Sequence, residues 1–162
     1  MPKRSLIAFV ILSFALAACA VAKHATLAGN YAAYVPDPKG RTASVDWTKA
    51  EAIHIELSNY EMTPQQRVFK TGKAYVLTLR NDDTITHSLK SIPFFQSIAV
   101  RDLIVYGKDG EVIATPRLEK VTLKAETNAE IKFVAVRTGA FDVYCDQPLH
   151  ATRGMTGNFV IE

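Results

Sequence analysis

From Ala52 onward, turn residues divide the chain into short runs in which side chains alternate between two faces. Ile53, Ile55 and Leu57 alternate with His54, Glu56 and Ser58, and Tyr75, Leu77 and Leu79 alternate with Ala74, Val76, Thr78 and Arg80. A period of two lines one face of a strand with apolar groups, so each run must bury that face against another sheet. Thr71-Gly72-Lys73, Asn81-Asp82-Asp83, Lys108-Asp109-Gly110 and Thr138-Gly139 mark turns. Further strands are expected over residues 104–106, 112–114, 118–123, 131–136, 141–145 and 157–161. Seven or eight short strands at this spacing predict an all-β fold, a Greek-key antiparallel β-sandwich. Residues 92–100, with Pro93, Phe94 and Phe95, read as a short helix or a loop.

The segment 143–155 places Cys145, His150 and Met155 at equal intervals, with four residues between each pair. One tight loop can turn a thiolate, an imidazole and a thioether toward a common point. A fourth donor must come from elsewhere, and His87, in a strand-like segment upstream, is the candidate. Taken singly, a strand cysteine is most often a buried thiol and a loop histidine a hydrogen-bonded structural group. The joint spacing points to a metal. Thiolate and thioether stabilise Cu(I), imidazole suits both copper states, and two imidazoles with one thiolate and a weak axial thioether form a blue-copper ligand set. Met62 is the rival for the axial position. His54 falls on the polar face of its strand, and His24 lies in the N-terminal segment.

Lys3 and Arg4 precede an apolar run over residues 6–18, too short for a typical membrane span and read as a secretory signal. Leu16-Ala17-Ala18-Cys19 looks like a bacterial lipobox, which would make Cys19 a lipidated first residue; the competing reading is cleavage after Ala22. The expected organisation is a signal peptide over 1–18, a tether over 19–48 rich in small residues, and one folded domain over 49–162, with Tyr31, Tyr34 and Trp47 available to pack part of the tether onto it. The expected location is the periplasm, on a lipid anchor or free. The formal charge of +3 falls to about +1 once Lys3 and Arg4 are removed, which argues against a nucleic-acid partner. The two cysteines are Cys19 and Cys145, so a lipidated or cleaved Cys19 leaves Cys145 with no disulfide partner.

The segment 53–162 resembles a cupredoxin of the small bacterial plastocyanin- and azurin-like kind. Three stretches carry the resemblance: Leu57 to Pro64 with Val68 to Gly72, like the opening hairpin; Ala74 to Leu79 with Asn81, Asp82 and His87, like the first-ligand strand; and Phe141 to Cys145 with Pro148, His150, Gly154 and Met155, like the ligand loop. The resemblance implies a β-sandwich holding one type 1 copper that cycles between Cu(I) and Cu(II), with electron shuttling as its role and no enzymatic activity of its own. Redox partners of the c-type cytochrome, oxidase or reductase kind and a monomeric state are expected. The alternative is a periplasmic copper carrier or resistance protein using the same ligands. Electrons are expected to leave through His150, inside an apolar patch of Pro148, Leu149, Phe94 and Phe95.

Two departures stand out: Ser88 follows the first histidine where many members have Asn, and residues 92–102 form an insert-like segment. Other classes lack their motifs. A binuclear copper centre needs a second loop cysteine, structural zinc sites do not use methionine, and no Walker, dinucleotide or HExxH pattern is present.

Overall fold

The computed structural model describes residues 22–24, 33–107 and 118–162. The signal segment, Cys19 with its lipobox, the turn at 108–110 and the strand expected over 112–114 lie outside the described residues. In chain order the strands are β1 (Ala22–His24), β2 (Glu51–Ser58), β3 (Glu61–Thr63), β4 (Gln66–Phe69), β5 (Ala74–Asn81), β6 (His87–Lys90), β7 (Ile98–Tyr106), β8 (Lys120–Leu123), β9 (Thr127–Ala135), β10 (Gly139–Tyr144) and β11 (Thr156–Ile161). Two short helices join them, α1 (Pro38–Ala43) and α2 (Ile92–Phe95).

One sheet has the order β1-β7-β9-β5-β2-β3 and the other β4-β11-β10-β6-β8. From β3 to β10 the chain changes sheet at every connection. This winding produces the sandwich expected from the alternation, and it also places two parallel pairs among the antiparallel ones, β2 with β5 and β4 with β11. The parallel pairs follow from the route: after β3 the chain visits the second sheet as β4 and returns beside β2 in the same direction.

The alternating residues behave as their pattern demands. Ile53, Ile55 and Leu57 of β2 and Tyr75, Leu77 and Leu79 of β5 are buried, facing Leu89, Val121, Leu123, Phe141, Val143, Phe159 and Ile161 from the second sheet. Phe69 lies at the centre, within 5.1–5.6 Å of the rings of Tyr75, Phe94, Phe133 and Phe159. Burying each such side chain contributes about 1.5–3 kcal/mol. The Tyr75 hydroxyl accepts the Lys70 amide at 2.7 Å, so its polar end is satisfied inside the core.

Residues 92–100 divide into α2 and the start of β7, and Phe94 and Phe95 are fully buried. The expected surface role of these two rings is therefore corrected. Phe94 packs on Phe69, Phe133, Phe141 and Phe159, because an aromatic ring gains more from the core than from solvent.

Much of the segment expected as tether is also packed. Val35 is buried against Ala99 and Val134, with Val45 and Trp47 beside them, on the outer face of the first sheet. Asp37 caps α1 by accepting the Gly40 amide at 2.9 Å. The Arg137 guanidinium donates to the carbonyls of Ala33 at 2.7 Å and Tyr34 at 3.1 Å, and the Tyr34 hydroxyl donates to Leu118 at 3.3 Å. Apolar burial and a satisfied guanidinium together hold residues 33–48 to the domain.

Candidate metal centre

His87 opens β6 and is fully buried, paired in register with Leu123. The turn before it is set by Asn81, a fully buried amide whose Nδ2 donates to the carbonyls of Ile85, Leu123 and Lys124 at 2.9–3.0 Å. Its Oδ1 accepts the Asp83 amide at 3.0 Å. Both ends of the amide are thus used, and the turn is fastened to β8.

Cys145 stands one residue beyond β10 and is likewise fully buried. Its amide donates to the Met155 carbonyl at 3.0 Å, and the Met155 amide donates to the His150 carbonyl at 3.1 Å. Between them the chain winds through a single 3-10 turn, Ala151–Arg153, and leaves it at Gly154 with φ of 106°, a left-handed conformation that favours glycine. The loop is short, internally hydrogen-bonded and closed at both ends on β10 and β11.

This winding brings three of the four sequence-predicted donors together, His87, Cys145 and His150. His87 Nδ1 lies 3.2 Å from His150 Nδ1, and Cys145 Sγ lies 3.4 Å from the same nitrogen. The three donor atoms lie within 4.8 Å of one another, and among the described residues no other group of three His, Cys, Asp or Glu donors converges in this way. Met155 is fully buried in the same loop, and Met62 is buried on β3 opposite Leu57. His54 is exposed on β2.

The sulfur is hydrogen-bonded from the neighbouring strand. The Ser88 amide donates to Cys145 Sγ at 3.3 Å. The Ser88 hydroxyl, 3.6 Å from the sulfur, has only one proton and gives it to Asp146 Oδ1 at 2.8 Å while accepting the Asp146 amide at 2.9 Å. Ser88 therefore joins the segment that carries His87 to the one that carries Cys145. Asp146 also meets Lys120 at 2.8 Å and Lys90 at 3.4 Å. Burial works to raise its carboxyl, but the hydrogen bonds from Lys120 and Ser88 outweigh it and hold the group below the usual carboxylate range.

The imidazoles differ in their surroundings. His87 Nε2 lies 3.1 Å from Asp83 Oδ2, and that carboxyl is lowered to about 2, by the His87 hydrogen bond first and then by the amides of Asn59 and Thr84. His150 is made less basic mainly by burial, with the electrostatic influence of the neighbouring His87 and Arg153 adding to the effect and that of Asp83 opposing it. A less basic imidazole keeps its nitrogen available to a metal near neutral pH.

His150 is only 7% exposed. The ring of Tyr60 stands edge-on to it at 4.8 Å, and the Arg153 guanidinium lies 4.5 Å from the Tyr60 ring. Next to His150 in the chain, Pro148 and Leu149 (65% exposed) lie at the surface and Tyr60 is half-buried, whereas Phe94 and Phe95, expected in the same patch, are buried in the core. Asp83 was legible only as a turn residue, Asn81 as a turn residue and part of the first-ligand resemblance, and Tyr60 only as part of the opening-hairpin stretch. The one local hint was a carboxylate four positions before a histidine.

Two imidazole nitrogens and one sulfur, all buried and converging, suit a soft or borderline cation, and an amide donor to the sulfur suits a thiolate. The donor set fits copper. A two-sheet sandwich with its candidate site between β6 and the β10–β11 loop is a cupredoxin-like fold.

Comparison with known proteins agrees at the level of fold. No protein-family model matches the chain, and no curated protein matches it. Among solved structures, it is similar to dithionite-reduced auracyanin from the photosynthetic bacterium Roseiflexus castenholzii, with 19% identity and a TM-score of 0.50 over 70% of this chain and 98% of that one. Auracyanin B matches with 14% identity and a TM-score of 0.50 over 73% of this chain and 93% of that one. A multi-copper oxidase from Pediococcus acidilactici matches with 13% identity and a TM-score of 0.51 over 74% of this chain but only 27% of that one.

Proposed function

We propose that the protein carries single electrons, with one mononuclear type 1 copper that would be held by His87, Cys145 and His150 and by Met155 as a fourth donor. The convergence of two imidazole Nδ1 atoms and a hydrogen-bonded sulfur in one buried cluster carries this reading. Bound copper supplies a one-electron couple between Cu(I) and Cu(II). The residues supply rigidity. Asn81 fastens the turn before His87, Ser88 ties β6 to Asp146, and the Cys145 and Met155 amides lock the loop, so the donors have little freedom to shift between oxidation states. Burial of all three donors keeps water away from them.

The path to a partner runs through His150 and the neighbouring Tyr60, Pro148 and Leu149, and the partners are redox proteins of the c-type cytochrome, oxidase or reductase kind. Small contacts of this sort suit brief encounters. Export rests on the N-terminal sequence, with Cys19 as the lipid attachment point; among the described residues no helix is long and apolar enough to cross a membrane. Mass spectrometry of the mature N-terminus tests the anchor.

The deciding experiment is copper titration of the purified protein followed by visible and paramagnetic resonance spectroscopy. One equivalent should give an intense thiolate-to-copper band and a reversible couple, and Cys145→Ala should abolish the band. Persistence of the band without Cys145 would sink the assignment. Readily exchanged copper without a reversible couple would favour the carrier role.

A further inference from the structure

The turn between β2 and β3 holds an unusual conformation. Asn59 and Tyr60 have φ of 50° and 63°, a pair of left-handed residues that suits Asn followed by Gly in a two-residue hairpin turn but is unfavourable for a bulky aromatic. Such strain persists only where surrounding contacts determine it. Two contacts do so here. The Asn59 amide donates to Asp83 Oδ2 at 3.1 Å, and the Tyr60 ring is held between His150 and Arg153. The same Asp83 oxygen faces His87 Nε2 at 3.1 Å, and its other oxygen accepts the Thr84 amide at 2.7 Å.

We propose that Asp83 is the positioning residue of the centre: one carboxylate oxygen accepts from both His87 Nε2 and the Asn59 amide, fixing Nδ1 of His87 as the metal-facing nitrogen and holding Tyr60 over His150. The inference rests on the reading of His87 and His150 as ligands. A carboxylate can only accept, so the imidazole must donate from Nε2, and a neutral imidazole with its proton there has its lone pair on Nδ1. A carboxylate behind the ring also makes the ligand nitrogen a stronger donor. Asp83 thereby acts on one imidazole directly and on the other through the turn and the Tyr60 ring.

Nitrogen-15 NMR of the metal-free protein tests this without copper. His87 should show a single Nε2–H tautomer, and Asp83→Ala should mix the tautomers and speed hydrogen exchange of the Asn59 amide by about tenfold, the scale of losing a charge-assisted hydrogen bond. Should Asp83→Ala not fold, Asp83→Asn keeps an acceptor of the same size and should give a smaller change in the same direction. In the copper-loaded protein Asp83→Asn should raise the reduction potential, since a neutral acceptor strengthens the ligand less. Tyr60→Gly should expose His150 to solvent and leave the His87 tautomer as it was. An unchanged tautomer and unchanged Asn59 exchange in the Asp83 variants would overturn the proposal. Failure of the wild type to take up copper would instead count against the electron-transfer reading, while the tautomer still decides the role of Asp83.

Discussion

Ser88 shows how far a single short side chain can serve a ligand cluster: its amide reaches the Cys145 sulfur, and its hydroxyl both accepts from and donates to Asp146. Met155 is the residue whose chemistry is most open to measurement. Met155→Gln should lower the reduction potential, because a harder oxygen donor favours Cu(II), and Met155→Leu should raise it by removing a donor. Each tenfold change in the relative affinity for the two oxidation states moves the potential by about 59 mV, which voltammetry resolves. Absent or opposite shifts would make Met155 a core residue and leave Met62 to be tested. At this scale the candidate ligands were legible, since Cys145, His150 and Met155 lie within one loop and their residue types restrict the metal they could hold. The groups that orient them were not. Asp83 and Asn59 are 24 positions apart and Ser88 and Asp146 are 58 apart, and a local pattern carries no trace of such contacts.

Among the elements, β6 is the shortest that matters, four residues whose placement depends on the turn before it. Asn81 supplies that placement. Asn81→Ala leaves the Leu123 and Lys124 carbonyls and the Asp83 amide without their partner, so stability should fall by about 1–3 kcal/mol, measurable as an earlier denaturant midpoint. A change of less than a few tenths of a kcal/mol would show that the turn holds itself. The longer strands β2 and β5 could be read directly, because each buries one face and alternates cleanly. In β9 the alternation stops at Phe133, Val134 and Ala135, all buried, because residues 33–48 cover the face that would otherwise meet solvent. The stretch read as an opening hairpin is divided between sheets. β3 stays with β2, whereas β4 crosses to lie beside β11, and strands of three or four residues carry too little periodicity to reveal such a crossing.

For the whole molecule, the N-terminal layer is part of the fold. A chain starting at Ala50 loses the buried Val35 side chain and uncovers Ala99 and Val134, so thermal unfolding should begin several degrees lower, in line with about 1.5–3 kcal/mol for one such side chain. An unchanged midpoint would reduce the layer to a dispensable wrap. Its isolated apolar residues among Ala, Gly and Pro gave no periodic signal, which is why composition suggested a tether.

Among the described residues, the outermost strands of the two sheets, β1, β3, β4 and β8, are three or four residues long. An exposed sheet border is a template on which another copy can continue the ladder, and short borders carrying lysine or arginine offer little to continue. β4 carries Arg67, and Lys120 lies in β8 with Lys124 just beyond it. Sedimentation over a wide concentration range should accordingly show a single monomeric mass, and a dimer that grows with concentration would contradict this. Crowding, whether in solution or along a membrane, then brings copies side by side without giving their backbones anything to share.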